Sequence, residues 1–542
     1  MKWCYLLLVG ASSMLAQNPA KPVNRDACAP PPGGAAPALP ARLMSGQGDM
    51  PFPITTKSAE AQAFFNQGIA QMHSFWAVEA ERSFLQAAAL DPEAPMPQWG
   101  VAMVAAGDYR PKFQLEGYGL GRKKGTKPQG GELRAIQAAK RALELSAVPG
   151  KATDLEKLYI ASIAARRDES SRDPDAAYIA GLRAVVVKYP GEVEAKTYLA
   201  LHLMRGFTQP DKQPRAGSTE AADLLRQLLK EAPGHAGVHH YVIHGFEGST
   251  FAKDAWPSCR RYPELTPNIP HALHMPGHIW AQTGRWDEAV ASFDAAAKNE
   301  LGYIRADKLY GTGHHGHNVH FLVASYSFSG QYERALQAAR GLLAFKENPR
   351  EARQVDNFRT AYRQGWFSVL RTLVQFEKWD EILDGTTLPE YDKPRERAWR
   401  HWARGLARAA KNDPAGARAE ARAMDAQLKI LKSRTGESPE ALRVARKELD
   451  GHVALSSGKT DRGLRILEQS SRAERRLRYN EPPAYPRPVA EALGRRALAA
   501  GRTAVAESAF RVALDQYPED AHARRGLADA ARREGRPVPA GL

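Results

Sequence analysis

Histidines are concentrated in one part of the chain. Eleven of the 16 lie in a single stretch: His235, His239, His240, His244, His271, His274, His278, His314, His315, His317 and His320. His240 and His244 are four residues apart, as are His274 and His278, and this spacing puts both imidazoles of a pair on one face of a helix. Sites rich in imidazole suit zinc, copper, iron or nickel rather than magnesium or calcium. The stretch therefore predicts a transition-metal site.

The two pairs are themselves related by a fixed spacing. His240 precedes His274 by 34 residues, and His244 precedes His278 by the same number. A constant period of roughly 20–50 residues is typical of repeat proteins, in which each repeat is one supersecondary unit. The histidines are therefore expected at equivalent positions of consecutive helical repeats.

The same period appears elsewhere in the chain. In a 34-residue unit that starts at Ala61, positions 8, 20, 24, 27 and 32 are Gly68, Ala80, Phe84, Ala87 and Pro92. In the unit from Arg487 they are Gly494, Ala506, Phe510, Ala513 and Pro518. Units from near Pro270, Ala398 and Val444 place Gly277, Gly405 and Gly451 at position 8. This pattern resembles the tetratricopeptide repeat (TPR), a pair of antiparallel helices A and B.

The resemblance implies an all-α fold. TPR units stack into a right-handed α-solenoid whose A helices line a concave groove, and each unit buries its apolar face only against its neighbours. The small residue at position 8 lets helix A approach helix B. The polar segment Ala521–Arg533 is expected to be a single capping helix. A fold of this kind implies a scaffold that binds a peptide or protein in the groove.

The histidines fall into register with this repeat. Unit starts at Ala236, Pro270 and Gly316 place His271 and His317 at position 2, His240, His274 and His320 at position 5, and His244 and His278 at position 9. Glu247 falls at position 12. Positions 2, 5, 9 and 12 face the groove in TPR arrays, so the resemblance implies one inward-facing cluster built by three consecutive repeats.

Three strings carry a closer resemblance. They are His240-Tyr-Val-Ile-His244, His271-Ala-Leu-His274-Met-Pro-Gly-His278-Ile and His317-Asn-Val-His320-Phe. These strings are similar to those of a mostly uncharacterised subgroup of bacterial TPR proteins, many of which are exported. The resemblance covers most of residues 60–345. It implies a site in this region, and it implies no particular reaction.

The cluster predicts a metal centre that holds zinc or copper, with iron ranked third. The favoured ligands are His240, His244, His274, His278 and His320, joined by His271 and by His317 as a ligand or an outer residue. Glu247, one turn beyond His244, is the candidate general base, able to take a proton from metal-bound water. The alternative is that Glu247 is a helix-face carboxylate paired with an arginine. Tyr241 and Tyr310 are weaker candidates for polarising a substrate.

Other interpretations of the histidines remain open. The cluster can instead bind a carboxylate or phosphate through imidazole N–H groups. His235 precedes its helix and is a candidate cap or outer residue, whereas His239, His314 and His315 are expected to be spacer or loop residues. The remaining ones, His73, His202, His401, His452 and His522, are expected to be ordinary surface or core histidines. An insertion, Ile304–His315, either covers the cluster as a loop or is merely tolerated at the surface.

Composition and the N-terminus limit the function classes. The chain has 542 residues, of which 43% are hydrophobic and 25% charged, so it contains enough apolar surface for a globular core. No run of about 20 apolar residues follows the extreme N-terminus, which excludes a membrane span there. A net charge of +16 suggests an anionic partner. Residues 1–16 have the layout of a secretory signal peptide, which predicts a periplasmic or secreted protein and argues against nucleic acid.

The expected organisation has four parts: a signal peptide at 1–16, a Pro/Gly/Ala-rich linker at 17–57, a TPR array with the histidine cluster at 58–345, and a C-terminal TPR array with the capping helix at 346–542. Cys28 and Cys259 form one disulfide or remain two buried thiols. In the arginine-rich C-terminal third, interleaved carboxylates such as Glu420, Glu448 and Glu491 indicate solvated helix faces with ion pairs at helical spacing.

Three functions fit the sequence. A metal-dependent hydrolase or oxidoreductase needs an open coordination position and a path for its substrate. A metal-stabilised scaffold has closed coordination and binds a peptide elsewhere in the groove. A periplasmic metal carrier binds its ion reversibly and has no turnover.

Overall fold

The computed structural model describes residues 36–37, 39–118, 127–306, 313–345, 360–435, 439–477 and 482–538. Within them the chain forms 24 α-helices and one short 3-10 helix, and the only strand-like pairing is an isolated bridge between Phe207 and Pro214. The all-α prediction is therefore confirmed.

The helices are numbered here in chain order. Helices α1 to α12 are Ala59–His73, Ala77–Leu90, Pro95–Val104, Lys112–Tyr118, Gly130–Ser146, Asp154–Arg167, Pro174–Lys188, Val193–Leu203, Ser218–Glu231, Ala236–Phe246, Trp256–Leu265 and Pro270–Gln282. Helices α13 to α24 are Trp286–Ala306, Gly313–Phe328, Tyr332–Leu343, Ala361–Gln375, Trp379–Leu383, Pro394–Ala410, Pro414–Thr435, Glu440–Ser456, Thr460–Glu474, Val489–Ala499, Thr503–Gln516 and Ala521–Arg533. Three-residue turns join α1 to α2, α12 to α13 and α22 to α23, as expected for antiparallel helix pairs.

Glycines at position 8 allow the helices of a pair to pack closely. The same contact recurs between Gly68 and Phe84, between Gly277 and Phe293, and between Gly494 and Phe510. A Cβ atom placed on Gly277 would lie 2.5 Å from the Phe293 ring. A methyl group has no room there, so the packing explains why the repeat requires glycine at this position. The TPR-type solenoid that the spacing predicts is the observed architecture.

The C-terminal repeats fold back onto the middle of the array. The indole Nε1 of Trp286 donates a hydrogen bond to the carbonyl of Pro518 at 3.0 Å. The ring of Phe328 stacks between Trp286 and Tyr517, with ring centroids 4.9 and 4.4 Å away. Helix α24, which has the bounds expected for the capping helix, therefore follows a segment that packs on another repeat.

A buried arginine holds the segment that precedes the last repeats. Arg371 in α16 donates hydrogen bonds to the backbone carbonyls of Pro483, Tyr485 and Pro486. Burial lowers the pKa of this guanidinium to about 10. The three carbonyl groups take the place of water around the guanidinium. These bonds hold the segment before α22 against α16, although the two are more than 100 residues apart in sequence.

The last part of the predicted linker is packed against the first repeats rather than being a free connection. Residues 39–57 form no helix, yet Phe52 is buried and packs against Trp99 and Tyr159, with ring centroids 5.9 and 5.6 Å away. The amide N–H of Ala41 donates to the side chain of Gln86. Apolar burial and side-chain acceptors therefore attach this segment to the first repeats.

Several N-terminal predictions fall outside the described residues. These are the signal peptide at 1–16, Cys28, and the part of the insertion that contains Asp307, Tyr310 and Gly311. Residues 304–306 and 313–315 of the insertion belong to helices α13 and α14, so they are not loop. Cys259 is a buried free thiol. None of the described helices is long and apolar enough to cross a membrane.

The three named carboxylates of the C-terminal third are buried, so the prediction of solvated helix faces is wrong for these residues, whereas the predicted ion pairs with arginines are present. Glu420, Glu448 and Glu491 are at most 8% exposed. Glu448 accepts hydrogen bonds from the Arg487 guanidinium at 2.9 Å and from the Trp402 indole at 3.1 Å. Burial, the largest single effect, would raise the pKa of Glu448, but Arg487, His452 and Tyr485 together outweigh it and lower the pKa to about 2. Arginines and carboxylates of this region therefore pair both inside the fold, as in Arg487–Glu448, and at its surface, as in Arg472–Glu468.

The Glu448–Arg487 pair predicts a pH-dependent stability. We expect Glu448→Gln to lower the free energy of unfolding at pH 7 by about 3–5 kcal/mol, because it leaves the Arg487 charge buried without its carboxylate. The folded-state pKa lies below its ordinary value of 4.5, so the contribution of the ionised group is present above that pH and is lost as the pH falls towards about 2. The difference in melting temperature should shrink over this range. Glu440→Gln, an exposed change in the same helix, is the control, and equal melting temperatures of E448Q and wild type at pH 7 would contradict the prediction.

The glycine contact predicts opposite effects at two helical glycines. Gly494→Ala places a methyl group 2.6 Å from the Phe510 ring and should destabilise the protein by about 1–3 kcal/mol. Gly341→Ala in α15 meets no atom within 4 Å and should stabilise it by up to about 1 kcal/mol, because alanine favours the helix. Urea denaturation followed by tryptophan fluorescence measures both effects. The interpretation fails if both variants move in the same direction.

Candidate metal centre

Helix α10 carries the first histidines into the interior. It is buried on all sides, and all eleven of its residues, including three histidines, are shielded from solvent. Its N-cap is His235, whose ring nitrogen Nδ1 accepts a hydrogen bond from the backbone N–H of Val238, in agreement with the predicted cap. The expected open groove is therefore filled at this point by neighbouring elements. The reason is that the end of α1 packs directly on α10.

Three histidines from two repeats form the first triad. His240 and His244 lie one turn apart on α10, and His271 comes from the start of α12. Each offers a ring nitrogen, and these atoms lie within 4.8 Å of one another. The Phe75 ring packs on all three, with centroid distances of 4.5, 5.2 and 5.6 Å. The triad is thus enclosed by an aromatic side chain from the turn after α1.

The hydrogen bonds of the first triad leave two nitrogens without partners. Nδ1 of His240 lies 2.5 Å from the backbone carbonyl of His73, so this nitrogen is the donor. Nδ1 of His244 accepts a hydrogen bond from the Gln114 side-chain amide at 3.3 Å and lies 3.7 Å from a Glu247 carboxylate oxygen, beyond hydrogen-bonding distance. In His240 the proton on Nδ1 leaves Nε2 as the acceptor. Nε2 of His240 and Nε2 of His244 are buried and have no hydrogen-bond partner.

The second triad is formed by the following repeat and its neighbour. His274 and His278 lie one turn apart on α12, and half-buried His317 comes from α14. The two Nε2 atoms of His274 and His278 are 2.7 Å apart, a hydrogen-bonding distance between two imidazoles. Tetrahedral zinc with bonds of 2.0–2.1 Å needs its nitrogens roughly 3.3 Å apart. These rings would therefore separate by about 0.6 Å on binding one ion.

Glu247 connects the two triads. One carboxylate oxygen accepts a hydrogen bond from Nδ1 of His278 at 2.8 Å, and the other lies 3.7 Å from Nδ1 of His244. The side chain is buried and follows directly after α10 as its C-cap residue. The general-base role of Glu247 stays a prediction. In the structure its carboxylate orients His278 and keeps the proton on Nδ1 of that ring, and its second oxygen lies near His244.

The row is continuous between the triads. The rings of His271 and His274 stack with centroids 6.1 Å apart, one turn apart on the same helix. Burial is the largest cause that lowers the pKa values of His240, His271 and His274 well below the usual 6.5, and neighbouring imidazoles lower them further. All three are therefore neutral at pH 7. Neutral imidazole is the form that binds metal ions.

His320 does not join either triad, in contrast to the predicted ligand set. It lies on α14 with its ring 5.8 Å from Phe367 of α16, and burial followed by the charge of Arg371 keeps its pKa well below 6.5. Its position in the repeat matches that of His240 and His274. The helix that packs against α14 at this point brings an aromatic ring and an arginine rather than further histidines.

The histidines predicted to be spacers have structural partners. His239 contacts the Ser258 hydroxyl and the carbonyl of Pro233, at 3.0 and 2.9 Å. His314 is hydrogen-bonded to Glu300 at 2.6 Å, and His315 to the carbonyl of Ala297 at 3.1 Å. None of the three belongs to a triad. They lie in helices rather than in a loop.

Sequence reasoning missed a third group that supports the first triad. His73 and His235 lie on either side of the Glu194 carboxylate, with contacts of 2.8 and 3.0 Å. The other ring nitrogen of His73 is bonded to the Tyr241 hydroxyl, and that of His235 to the backbone of α10. Burial would raise the pKa of Glu194, but the two histidines hold it well below its usual range. All four ring nitrogens have protein partners, so this group is structural. The sequence prediction missed this group because His73 does not occupy a repeat position that is expected to face the groove.

The structural role of Glu194 is testable. We expect Glu194→Gln to lower the free energy of unfolding by about 1.5–3 kcal/mol, because it weakens hydrogen bonds to a charged acceptor. The loss should be the same before and after treatment with EDTA, as measured by thermal unfolding. Glu220→Gln, which changes an exposed ion pair, is the control and should have little effect. A loss that disappears after EDTA would instead assign a metal to this group.

Comparisons with known proteins add only general similarity. No protein-family model matches the chain, and no curated protein matches it. Among solved structures, human IFIT1, crystallised as a dimer with m7Gppp-AAAA, is 13% identical, with a TM-score of 0.31 over 77% of this chain and 82% of that one. The APC/C hetero-tetramer Cut9-Hcn1 is 12% identical, with a TM-score of 0.28 over 87% and 90% of the chains. The P58(IPK) TPR domain is 12% identical, with a TM-score of 0.22 over 88% and 99%. The repeat architecture therefore rests on the helix pairs and glycine contacts of the chain itself.

Proposed function

We propose that the histidine row binds a transition-metal ion, with zinc or copper as the first candidates and iron as the third. The observation that carries the proposal is the pair of buried Nε2 atoms of His240 and His244. They have no hydrogen-bond partner, and the nitrogen of a third histidine, His271, completes a group within 4.8 Å. The protein would be a metal-binding TPR solenoid, and its first 16 residues, which have the layout of a signal peptide, predict that it is exported.

The energetic argument concerns the cost of burying a polar atom alone. A buried ring nitrogen without a partner costs about 1–3 kcal/mol, and here two such nitrogens belong to neighbouring rings whose centroids are 4.8 Å apart. A cation bound by both nitrogens removes this cost. The Nδ1 of His240 donates to a backbone carbonyl and that of His244 lies near a carboxylate, an outer arrangement typical of metal-binding histidines. For His240 this arrangement fixes the tautomer that a metal requires, with the proton on Nδ1 and the lone pair on Nε2.

The second triad supports a reactive role for the centre. A bound zinc or copper ion supplies Lewis-acid or redox chemistry, which is the basis for proposing a hydrolase or oxidoreductase. The Glu247 carboxylate orients His278 and lies close to His244, so a change at one triad is transmitted to the other. His317 is the half-buried member of the six histidines, so access from outside is easier at this end of the row.

Elemental analysis of protein purified without chelator or metal-affinity resin tests the proposal. We expect about one equivalent of metal at the first triad and up to about one more at the second. His240→Ala should remove the first equivalent and His274→Ala the second, and the double variant should contain none. His320→Ala, a buried histidine outside both triads, is the matched control. Circular dichroism and the melting temperature in EDTA show whether each variant is folded.

Each alternative gives a different result. Equal metal content in wild type and in a folded double variant would overturn the proposal. Metal-free wild-type protein that takes up no ion, but whose melting temperature rises with phosphate and not with chloride, would assign the row to an anion. The anion is the second candidate ligand because a cation lies near the row: the Arg110 guanidinium is 5.0 Å from the centroid of the Phe75 ring that covers the first triad.

A further inference from the structure

A pocket lies beside the second triad, between the middle repeats and the folded-back C-terminal repeats. Its volume is about 190 Å³. One wall comes from α12 and α14, and the opposite wall from the ends of α21 and α23 together with the segment around Tyr485. Exposed Gln209, Pro210 and Asp515 line its rim, so the pocket opens to solvent there.

The inner wall of the pocket is aromatic and includes a histidine of the row. His278 and Phe321 lie side by side, with ring centroids 4.7 Å apart. Phe328 and Trp286 continue the same surface as a stacked pair. Flat apolar rings of this kind suit a flat apolar ligand, because stacked or edge-on contacts are favourable between rings.

The opposite wall carries two unsatisfied acceptors. The Gln516 amide donates a hydrogen bond from Nε2 to Oε1 of Glu474 at 2.7 Å, which fixes both side chains. The second oxygen of Glu474 and the Oε1 atom of Gln516 are buried and have no hydrogen-bond partner. Glu474 is 4% exposed, and both residues line the pocket. Two neighbouring acceptors in a mostly apolar pocket are typical of a recognition site for a donor group.

We infer that this pocket binds a small molecule with an aromatic body and a head group that donates at least two hydrogen bonds, such as a primary amide or amine. The head lies at Glu474 and Gln516, and the ring lies against Phe321 and His278. The inference deepens the proposed function, since it names the class of molecule that reaches the second triad. It rests on that function only for the role of the metal, because the pocket itself is built without one.

The charge of the pocket agrees with this assignment. Burial raises the pKa of Glu474 to about 7, so the carboxyl is ionised only in part at neutral pH. Arg475 also lines the pocket and is paired with Asp515 at 2.7 Å, and Lys212 lies in the same lining. A neutral amide is therefore accepted near pH 7, and a cationic amine binds more tightly as the pH rises and Glu474 loses its proton.

Three probes of equal size distinguish the contribution of the donor group to binding from that of the aromatic ring. Benzamide and phenethylamine both carry a donor head, whereas benzoate has the same number of non-hydrogen atoms and only acceptors. Binding is measured by saturation-transfer NMR and by titration at pH 8. Fragments of this size are expected to bind with Kd values on the order of 1–10 mM. We expect benzamide and phenethylamine to bind at least about tenfold more tightly than benzoate, since the latter leaves both acceptors unpaired.

Glu474→Gln is the decisive variant. The new amide presents a donor where wild type presents an acceptor, so affinity for benzamide and phenethylamine should fall about tenfold while that for benzoate rises. The variant should remain folded at pH 8, because it removes a carboxylate whose ionisation burial opposes. Glu468→Gln, an exposed change in the same helix, is the control and should bind like wild type.

The outcome is independent of the metal experiment. Binding is measured on the protein as purified and again after EDTA, and the metal content of Glu474→Gln is expected to equal that of wild type. No binding of either donor probe at about 10 mM, or unchanged selectivity in Glu474→Gln, overturns the pocket assignment. If wild-type protein neither contains nor takes up metal but still binds the donor probes selectively, the pocket assignment stands and only the metal centre is contradicted.

Discussion

One constraint governs the centre of the molecule: a helix enclosed on every side must find partners for its polar groups within the fold. Helix α10 is enclosed in this way and carries three histidines. Neighbouring elements supply partners for both nitrogens of His239 and for one nitrogen each of His240 and His244. The nitrogens that remain are next to each other and to His271. The need for a shared partner at this point follows from burial, whatever the identity of that partner.

The curvature of the array produces this burial. In an open TPR groove the same histidines would face water and could hydrogen-bond to it. Here the turn after α1 places Phe75 against the first triad, and the fold-back of the last repeats places Tyr517 against Phe328. Both closures depend on helices that pack closely within each repeat, which position-8 glycines such as Gly277 permit. Local packing and the long-range closure of the site are thus parts of one arrangement.

The sequence predicted the local parts of this arrangement well. The 34-residue period and the glycine positions depend on contacts within one repeat, and six of the seven histidines predicted as ligands, all except His320, lie together in the two triads. Contacts between distant repeats were not predictable. His320 has the repeat position of His240, yet Phe367 and Arg371 meet it instead of other histidines. His73 has no favoured position, and it reaches α10 only because the chain curves back.

The two triads differ in a way that assigns them different roles. The first is covered by Phe75, and its histidines are fixed by a backbone carbonyl and a nearby carboxylate. Under the proposed function, an ion there would have little access to solvent and would act mainly on stability. The second includes half-buried His317 and shares His278 with the wall of the pocket. An exchangeable coordination position would therefore belong to the second triad. Glu247, hydrogen-bonded to His278 and 3.7 Å from His244, lies between the two triads and is the side chain through which the geometry of one would influence the other.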